Sequence, residues 1–248
     1  MSIEQSLMFT QSLKKHAFLP AALMILIAAT FAFAQQQSDH KQNARPENSS
    51  STAPTSSDSK TSYSYEFTQP EFLTKRIFIE HDQSGRGRIT FEKKNDEAPI
   101  VESLALSSAA LARIAALWES LRFLESTEDY QTARQYPHLG TMRLTMVQAS
   151  RKRTAEFNWS SNKDASSLAN EYRRIGDQAM WVFDIAVARE SQPLNAPKLM
   201  EQFEVMLKRN GLSDPAQLIP LLKEISTDEY LPLIARNHAL RLLKKLEK

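Results

Sequence analysis

The chain has 248 residues, a formal net charge of +2 at pH 7, 42% apolar residues and no cysteine. This apolar share excludes a disordered polymer, and the five glycines exclude collagen-like or glycine-repeat material. The absence of cysteine excludes disulfide frameworks, zinc knuckles, iron–sulfur ligation and thiol catalysis. The near-neutral charge argues against a nucleic-acid-binding protein, so we expect no nucleic-acid partner.

The strongest signal lies near the N-terminus, where Lys14 and Lys15 precede 18 uncharged residues, 17–34. Ala32 and Ala34 place small side chains where a signal peptidase requires them, so residues 1–34 are typical of a secretory signal peptide. An uncleaved membrane anchor is the alternative, because an apolar segment of about 17–25 residues can span a bilayer. Both interpretations place the remainder outside the cytoplasm, either periplasmic or tethered to the outer face of the inner membrane.

A polar segment follows. Residues 35–62 contain no Val, Ile, Leu, Met, Phe, Trp or Tyr, and 11 of these 28 residues are Ser or Thr. Such a segment cannot bury enough apolar surface to offset the entropy lost on ordering. We therefore predict a disordered polar linker over 35–62, which would act as a tether if the anchor is not cleaved.

Alternating apolar residues begin at Tyr63. Tyr63, Tyr65 and Phe67 share one face of a predicted strand, because side chains of a strand alternate between its two sides. Such a face is interpreted either as part of the hydrophobic core or as an aromatic platform for a sugar or a peptide.

Two hairpins are predicted next. The first spans residues 75–92 and turns over Asp82 to Gly87, where two glycines tolerate positive φ. The second spans 142–159 and turns over 149–152, with Phe157 and Trp159 on its core face. Residues 100–106 are expected to add a further strand.

Helical periodicity follows each hairpin. The first helix is expected to begin at Ser107 or Ser108, and the second at Ser161 or Asp164. Together these elements predict an α+β fold over 63–190: an antiparallel sheet from two hairpins with two packing helices.

Residues 191–248 are predicted to form an all-helical C-terminal extension. Ser226 and Glu229 have the spacing of a capping box for its last helix. The pattern over 218–246 resembles a single HEAT-type helical pair, on Ile219, Pro220, Leu221, Leu222, Arg236, Ala239, Leu242 and Leu243. This resemblance implies protein interaction. The order of hairpins and helices also resembles uncharacterised exported bacterial α+β domains, a resemblance that implies no activity.

The candidate catalytic residue is His138, which lies in the Pro- and Gly-containing loop 136–141. A histidine in a rigid loop can act as a general base, and Glu125, Glu128 and Asp129 lie upstream to orient it. The alternative is a rigid turn in which the imidazole makes a local hydrogen bond. No spacing of metal ligands or cofactor-binding motif is present, so we expect no metal and no cofactor.

Two further features carry charge at predicted turns. His81, next to Asp82, is interpreted as a solvated turn residue or as half of a ligand pair. The basic cluster 151–153 is expected at the tip of the second hairpin. It is interpreted as a solvated tip or as a contact for anionic lipid headgroups or an acidic partner.

Two functional hypotheses follow. The first is an exported, non-catalytic binding or interaction domain, with an envelope protein as partner and membrane contact only through an uncleaved N-terminal segment. The alternative is an extracytoplasmic, metal-independent hydrolase that uses His138.

Overall fold

A computed structural model describes residues 60–247 of the chain. The predicted signal peptide or anchor and most of the predicted linker lie outside these described residues. Five helices are described: α1 (Ser108–Ser120), α2 (Lys163–Ser191), α3 (Ala196–Lys208), α4 (Ile219–Thr227) and α5 (Leu233–Leu246). Six strands are described: β1 (Thr61–Thr68), β2 (Thr74–Asp82), β3 (Arg86–Lys93), β4 (Ile100–Ala105), β5 (Thr141–Gln148) and β6 (Arg151–Phe157).

The strands form one antiparallel sheet in the order β4-β3-β2-β1-β5-β6. The helices mostly follow the sheet in the chain, so the predicted α+β class with a helical C-terminal part is confirmed. The strand expected at 100–106 is β4. Helices α4 and α5 occupy the segment that resembles a HEAT-type pair, and that resemblance stays a prediction.

The two faces of the sheet differ in polarity. On one face Tyr65, Ile79, Ile89 and Leu144 are buried under α1 and α2. Tyr65 and Phe67 are therefore core residues.

The other face carries a row of alternating charges across five strands. Arg143 bonds both Glu156 and Glu66, at 2.8 and 2.7 Å, and Arg76 bonds Glu66 and Glu92, at 2.5 and 2.8 Å. Each exposed pair stabilises the fold little by itself. Opposite charges on neighbouring strands nevertheless favour this register over a shifted one.

Helix α2 belongs to both hydrophobic clusters of the fold. Its first half packs Leu168, Tyr172 and Ile175 against the sheet. Its second half packs Trp181 and Ile185 against the C-terminal helices. Because one continuous helix contributes to both clusters, α2 connects the core of the sheet to the core of the helical extension.

Several predicted boundaries differ from the structure. Thr61 and Ser62, given to the linker from sequence, pair in β1 with Gln148 and Val147. The start of α2 is capped by Asn162, whose side-chain oxygen accepts from two backbone N–H groups at 3.0 Å, and not by Ser161 or Asp164.

The predicted capping box at Ser226 is wrong. Ser226 lies inside α4 and donates to the carbonyl oxygen of Lys223 at 2.7 Å. Helix α5 begins later, at Leu233. Pro232 restricts the preceding residue to extended conformations, so the helix starts only after it.

The basic cluster does not lie at a hairpin tip. The turn is Ala149-Ser150, with φ of 53° at Ala149, and Arg151 already begins β6. Arg153 lies over the Phe123 ring at 4.5 Å and donates to the carbonyl oxygens of Phe123 and Glu128, at 2.7 and 2.6 Å. Arg153 therefore holds the loop after α1 against β6.

A buried carboxylate joins α1, α2 and the segment before α4. Glu171 is 2% exposed and accepts from Arg113 and Ser213, each at 2.8 Å, and it also contacts Arg174. Burial by itself would raise the pKa of Glu171, but the hydrogen bonds and nearby positive charges lower it overall. Glu171 therefore keeps its negative charge although it is buried.

Glu171→Ala leaves the buried Ser213 hydroxyl and the partly exposed Arg113 and Arg174 side chains without their acceptor, so we expect it to lower the free energy of unfolding by about 2 kcal/mol. Urea denaturation would measure this. Glu119→Ala removes an exposed carboxylate of α1 and should change stability by less than about 0.5 kcal/mol. Equal effects of the two variants would contradict the structural role given to Glu171.

His81 is buried, which corrects its interpretation as a solvated turn residue. Its Nδ1 donates to the carbonyl oxygen of Asp82 at 2.8 Å, so the neutral ring accepts at Nε2 from the Tyr172 hydroxyl at 2.8 Å. Trp118 Nε1 donates to the same hydroxyl oxygen at 3.0 Å. The ring of Tyr63 stacks on the imidazole with 5.2 Å between centroids.

This environment makes His81 sensitive to acid. Burial lowers the pKa of His81 from its ordinary value of 6.5, despite the opposing effect of the Asp82 carbonyl. A protonated ring would also take away the acceptor of the Tyr172 hydroxyl.

The unfolded chain therefore binds this proton more readily than the folded one. We expect the free energy of unfolding to be highest above pH 6.5 and to fall as the pH drops through that value toward the lower folded-state pKa. Urea denaturation at several pH values between about 5 and 8 measures this dependence, and the free energy of unfolding should change less with pH in His81→Gln than in the wild type. His138→Gln, which replaces an exposed histidine with the same residue, glutamine, is the matched control variant. If the free energy of unfolding of His81→Gln depends on pH as strongly as that of the wild type, His81 is not the source of the acid sensitivity.

Candidate functional site

A cavity of about 850 Å³ opens between α2 and one end of the sheet. It lies where β1 and β6 end and where β2 and β5 begin. Its floor consists of side chains from the core face of these strands: Tyr65, Phe67, Ile77, Met142 and Phe157. This volume lies within the usual range of small-molecule sites, about 300–1,000 Å³.

The helix wall is built from one face of α2. The side chains that line the cavity recur three or four positions apart, as one helical face requires: Ser166, Ala169, Asn170, Arg173, Asp177 and Met180. The first positions of this face are small. Ser166 and Ala169 therefore leave space that the aromatic residues of the sheet do not fill.

The rim is held by loops with defined conformations. Gly140 has φ of +81°, and a Cβ there would lie 2.6 Å from a ring carbon of Phe67, so a side chain cannot be accommodated. The side-chain oxygen of Asn158 accepts from the backbone N–H of Tyr136 at 3.0 Å. Gln69 donates to the carbonyl oxygen of Pro137 at 2.9 Å. These contacts keep the loops beside the floor.

Three large apolar side chains surround the mouth and remain in contact with solvent. Phe72 is 46% exposed, Leu73 is 67% exposed and Trp159 is 51% exposed. From sequence, Trp159 was expected on the core face of the second hairpin, but β6 ends at Phe157. The mouth is therefore an apolar patch continuous with the cavity, and such patches mark binding sites on soluble domains.

One side of the cavity is polar. Burial raises the pKa of Tyr65 to about 12, although the Arg173 guanidinium beside its hydroxyl opposes this shift through its charge and a hydrogen bond. Burial also raises the pKa of Asp177, against the smaller effect of the Arg173 charge. An apolar cavity with a few polar groups at one side is suited to an amphipathic ligand.

The residues proposed for catalysis are not brought together. His138 is exposed on a short 3₁₀ turn, Pro137–Leu139, and its ring lies 6.1 Å from that of Tyr136. Glu125 is paired with Arg151 at 2.8 Å. Within residues 60–247, no carboxylate oxygen lies within 4.0 Å of an imidazole nitrogen of His138.

No sequence motif encodes this cavity, so the residues alone did not predict it. Two signals are present in the sequence: the apolar pair Phe72-Leu73 in an otherwise polar loop, and a tryptophan two residues after the end of β6. The space itself depends on small residues of α2 lying opposite four strands, two of which, β1 and β2, are about 100 residues away in the chain.

Among residues 60–247, no group of three or more His, Asp or Glu side chains could hold a metal ion. In the same part of the chain, no helix has both the length and the apolar content needed to cross a bilayer. Comparison with known proteins found no protein-family model and no curated sequence that matches the chain. The functional conclusion therefore depends on the geometry of the cavity.

Proposed function

We propose that the protein is an exported, non-catalytic binding domain whose cavity receives an apolar or aromatic group of a ligand or of an envelope partner. The supporting observation is the 850 Å³ cavity with Phe72, Leu73 and Trp159 exposed at its mouth. An occupant would remove these side chains from water, and burial of apolar surface contributes roughly 25 cal/mol per Å². The few polar groups of the cavity would orient the occupant.

Export is supported by the sequence. Lys14 and Lys15, the apolar residues 17–34 and the polar residues 35–62 form the order expected of an exported or anchored protein. A tether of that length, or a free N-terminus after cleavage, would let the binding domain reach an envelope partner.

The address can be tested with a reporter. Alkaline phosphatase requires the oxidising environment outside the cytoplasm, so a fusion after residue 62 should be active in intact cells. Deletion of residues 1–34 should abolish this activity, and sequencing of the recovered N-terminus should separate cleavage after Ala34 from retention of an anchor. Equal phosphatase activity with and without residues 1–34 would exclude export through this segment.

Binding can be tested with N-phenyl-1-naphthylamine, a neutral apolar probe whose fluorescence rises in apolar sites. Trp118 and Trp181 are buried, so most quenching of tryptophan fluorescence by iodide should come from Trp159. We expect the probe to bind and to protect Trp159 from iodide.

The variant Leu73→Asp places a charge at the mouth and should weaken probe binding about tenfold. Leu233→Asp is the matched control, because Leu233 is similarly exposed, at 61%, and does not line the cavity. If both variants bind the probe as the wild type does, the cavity is not the binding site.

A further inference from the structure

The cavity contains a carboxylate that has no hydrogen-bonded or ion-paired partner among the described residues. Asp177 is half-buried, yet within residues 60–247 its carboxylate makes no hydrogen bond and no ion pair within 4.0 Å. Other buried or half-buried carboxylates are compensated. Glu171 contacts Arg113 and Arg174, and Asp228 bonds Arg189 at 2.9 Å. Asp177 is the exception among the half-buried carboxylates in this part of the chain.

The nearest cation does not remove this imbalance. Arg173 lies one helical turn before Asp177, but its side chain is exposed and lies beside the Tyr65 hydroxyl. Burial still raises the pKa of Asp177 in the presence of Arg173. A poorly solvated carboxylate gains more from a positive partner than a carboxylate in water does.

A second, charged groove adjoins Asp177. Asp177 also lines a groove of about 490 Å³ between α2 and α3. Two further carboxylates, Asp184 and Glu201, and one lysine, Lys198, line this groove. Asp184 is already bonded to Lys93 at 3.0 Å and Glu201 is exposed to solvent, so Asp177, at the junction of groove and cavity, is the half-buried carboxylate of this lining that lacks a partner.

The mouth of the cavity supplies the complementary apolar surface. Phe72 and Trp159 present aromatic rings that are about half exposed. Aromatic faces attract both apolar groups and cations that approach within about 6 Å. A ligand that fits both features has an apolar body and one positive charge.

We infer that the cavity selects small amphiphilic cations, with an aromatic or aliphatic body against Phe72 and Trp159 and an ammonium group on Asp177. This inference rests on the proposed function, because it assumes that the cavity is occupied. It adds the charge of the ligand and the residue that recognises that charge.

Three probes with one body and different head groups test this inference: 4-phenylbutylamine, 4-phenylbutan-1-ol and 4-phenylbutyrate. Displacement of N-phenyl-1-naphthylamine measures their relative affinities. We expect the amine to bind at least tenfold more tightly than the alcohol and the carboxylate.

The variant Asp177→Asn should weaken binding of the amine about tenfold and leave binding of the alcohol unchanged. Glu190→Gln is the matched control, since it removes an exposed negative charge from α2 outside the cavity. Arg173→Gln removes the opposing positive charge and should strengthen binding of the amine.

The outcomes separate the two proposals. If the alcohol binds as tightly as the amine, or if the carboxylate is preferred and Arg173→Gln abolishes that preference, the inference is overturned and the proposed function stands. If neither the three probes nor N-phenyl-1-naphthylamine binds, the proposed function fails. If Asp177→Asn does not fold, the wild-type preference among the probes and the effect of Arg173→Gln decide.

Discussion

Helix α2 has to be buried along most of its length, and the rest of the fold depends on this. Its first half completes the core beneath the sheet, and its second half completes the core of the C-terminal helices. Most of the stability of a helix in a protein comes from the packing of its apolar face, so these two clusters hold the 29 residues of α2 in place. Glu171 adds a polar connection between α2, α1 and the segment before α4.

The same helix explains why a cavity lies at one end of the sheet. Near its centre α2 must approach the strands closely, and Gly176 lies against Ile77 there. On the helix face that lines the cavity, Ser166 and Ala169 are small, and the helix and the aromatic floor do not close there. The polar side chains Arg173 and Asp177 lie along the same helix face. Shape and charge of the candidate site therefore both come from the residues of one helix face opposite four strand ends.

Sequence reasoning predicted the features that depend on local periodicity. The alternation at Tyr63, Tyr65 and Phe67 and the cap at Ser107 depend on neighbours in the chain, and both are present in the structure. Features that depend on distant partners were missed. His81 is buried because Tyr172, 91 residues later, bonds it, and no local pattern shows this. Trp159 lies beyond the strand: the last pair of β6 is Phe157 with Met142, and the backbone N–H of Asn158 donates to the side-chain oxygen of Gln131 at 2.8 Å.

The outer strands of the sheet have unequal protection against pairing with another copy. Four of the seven residues of β6 are charged, and charged side chains on an edge strand oppose the addition of a further strand. Of the six residues of β4, only Glu102 is charged, and Val101 is exposed. At high concentration, self-association of the folded domain would therefore begin along β4, and a single lysine at position 101 would be the simplest safeguard.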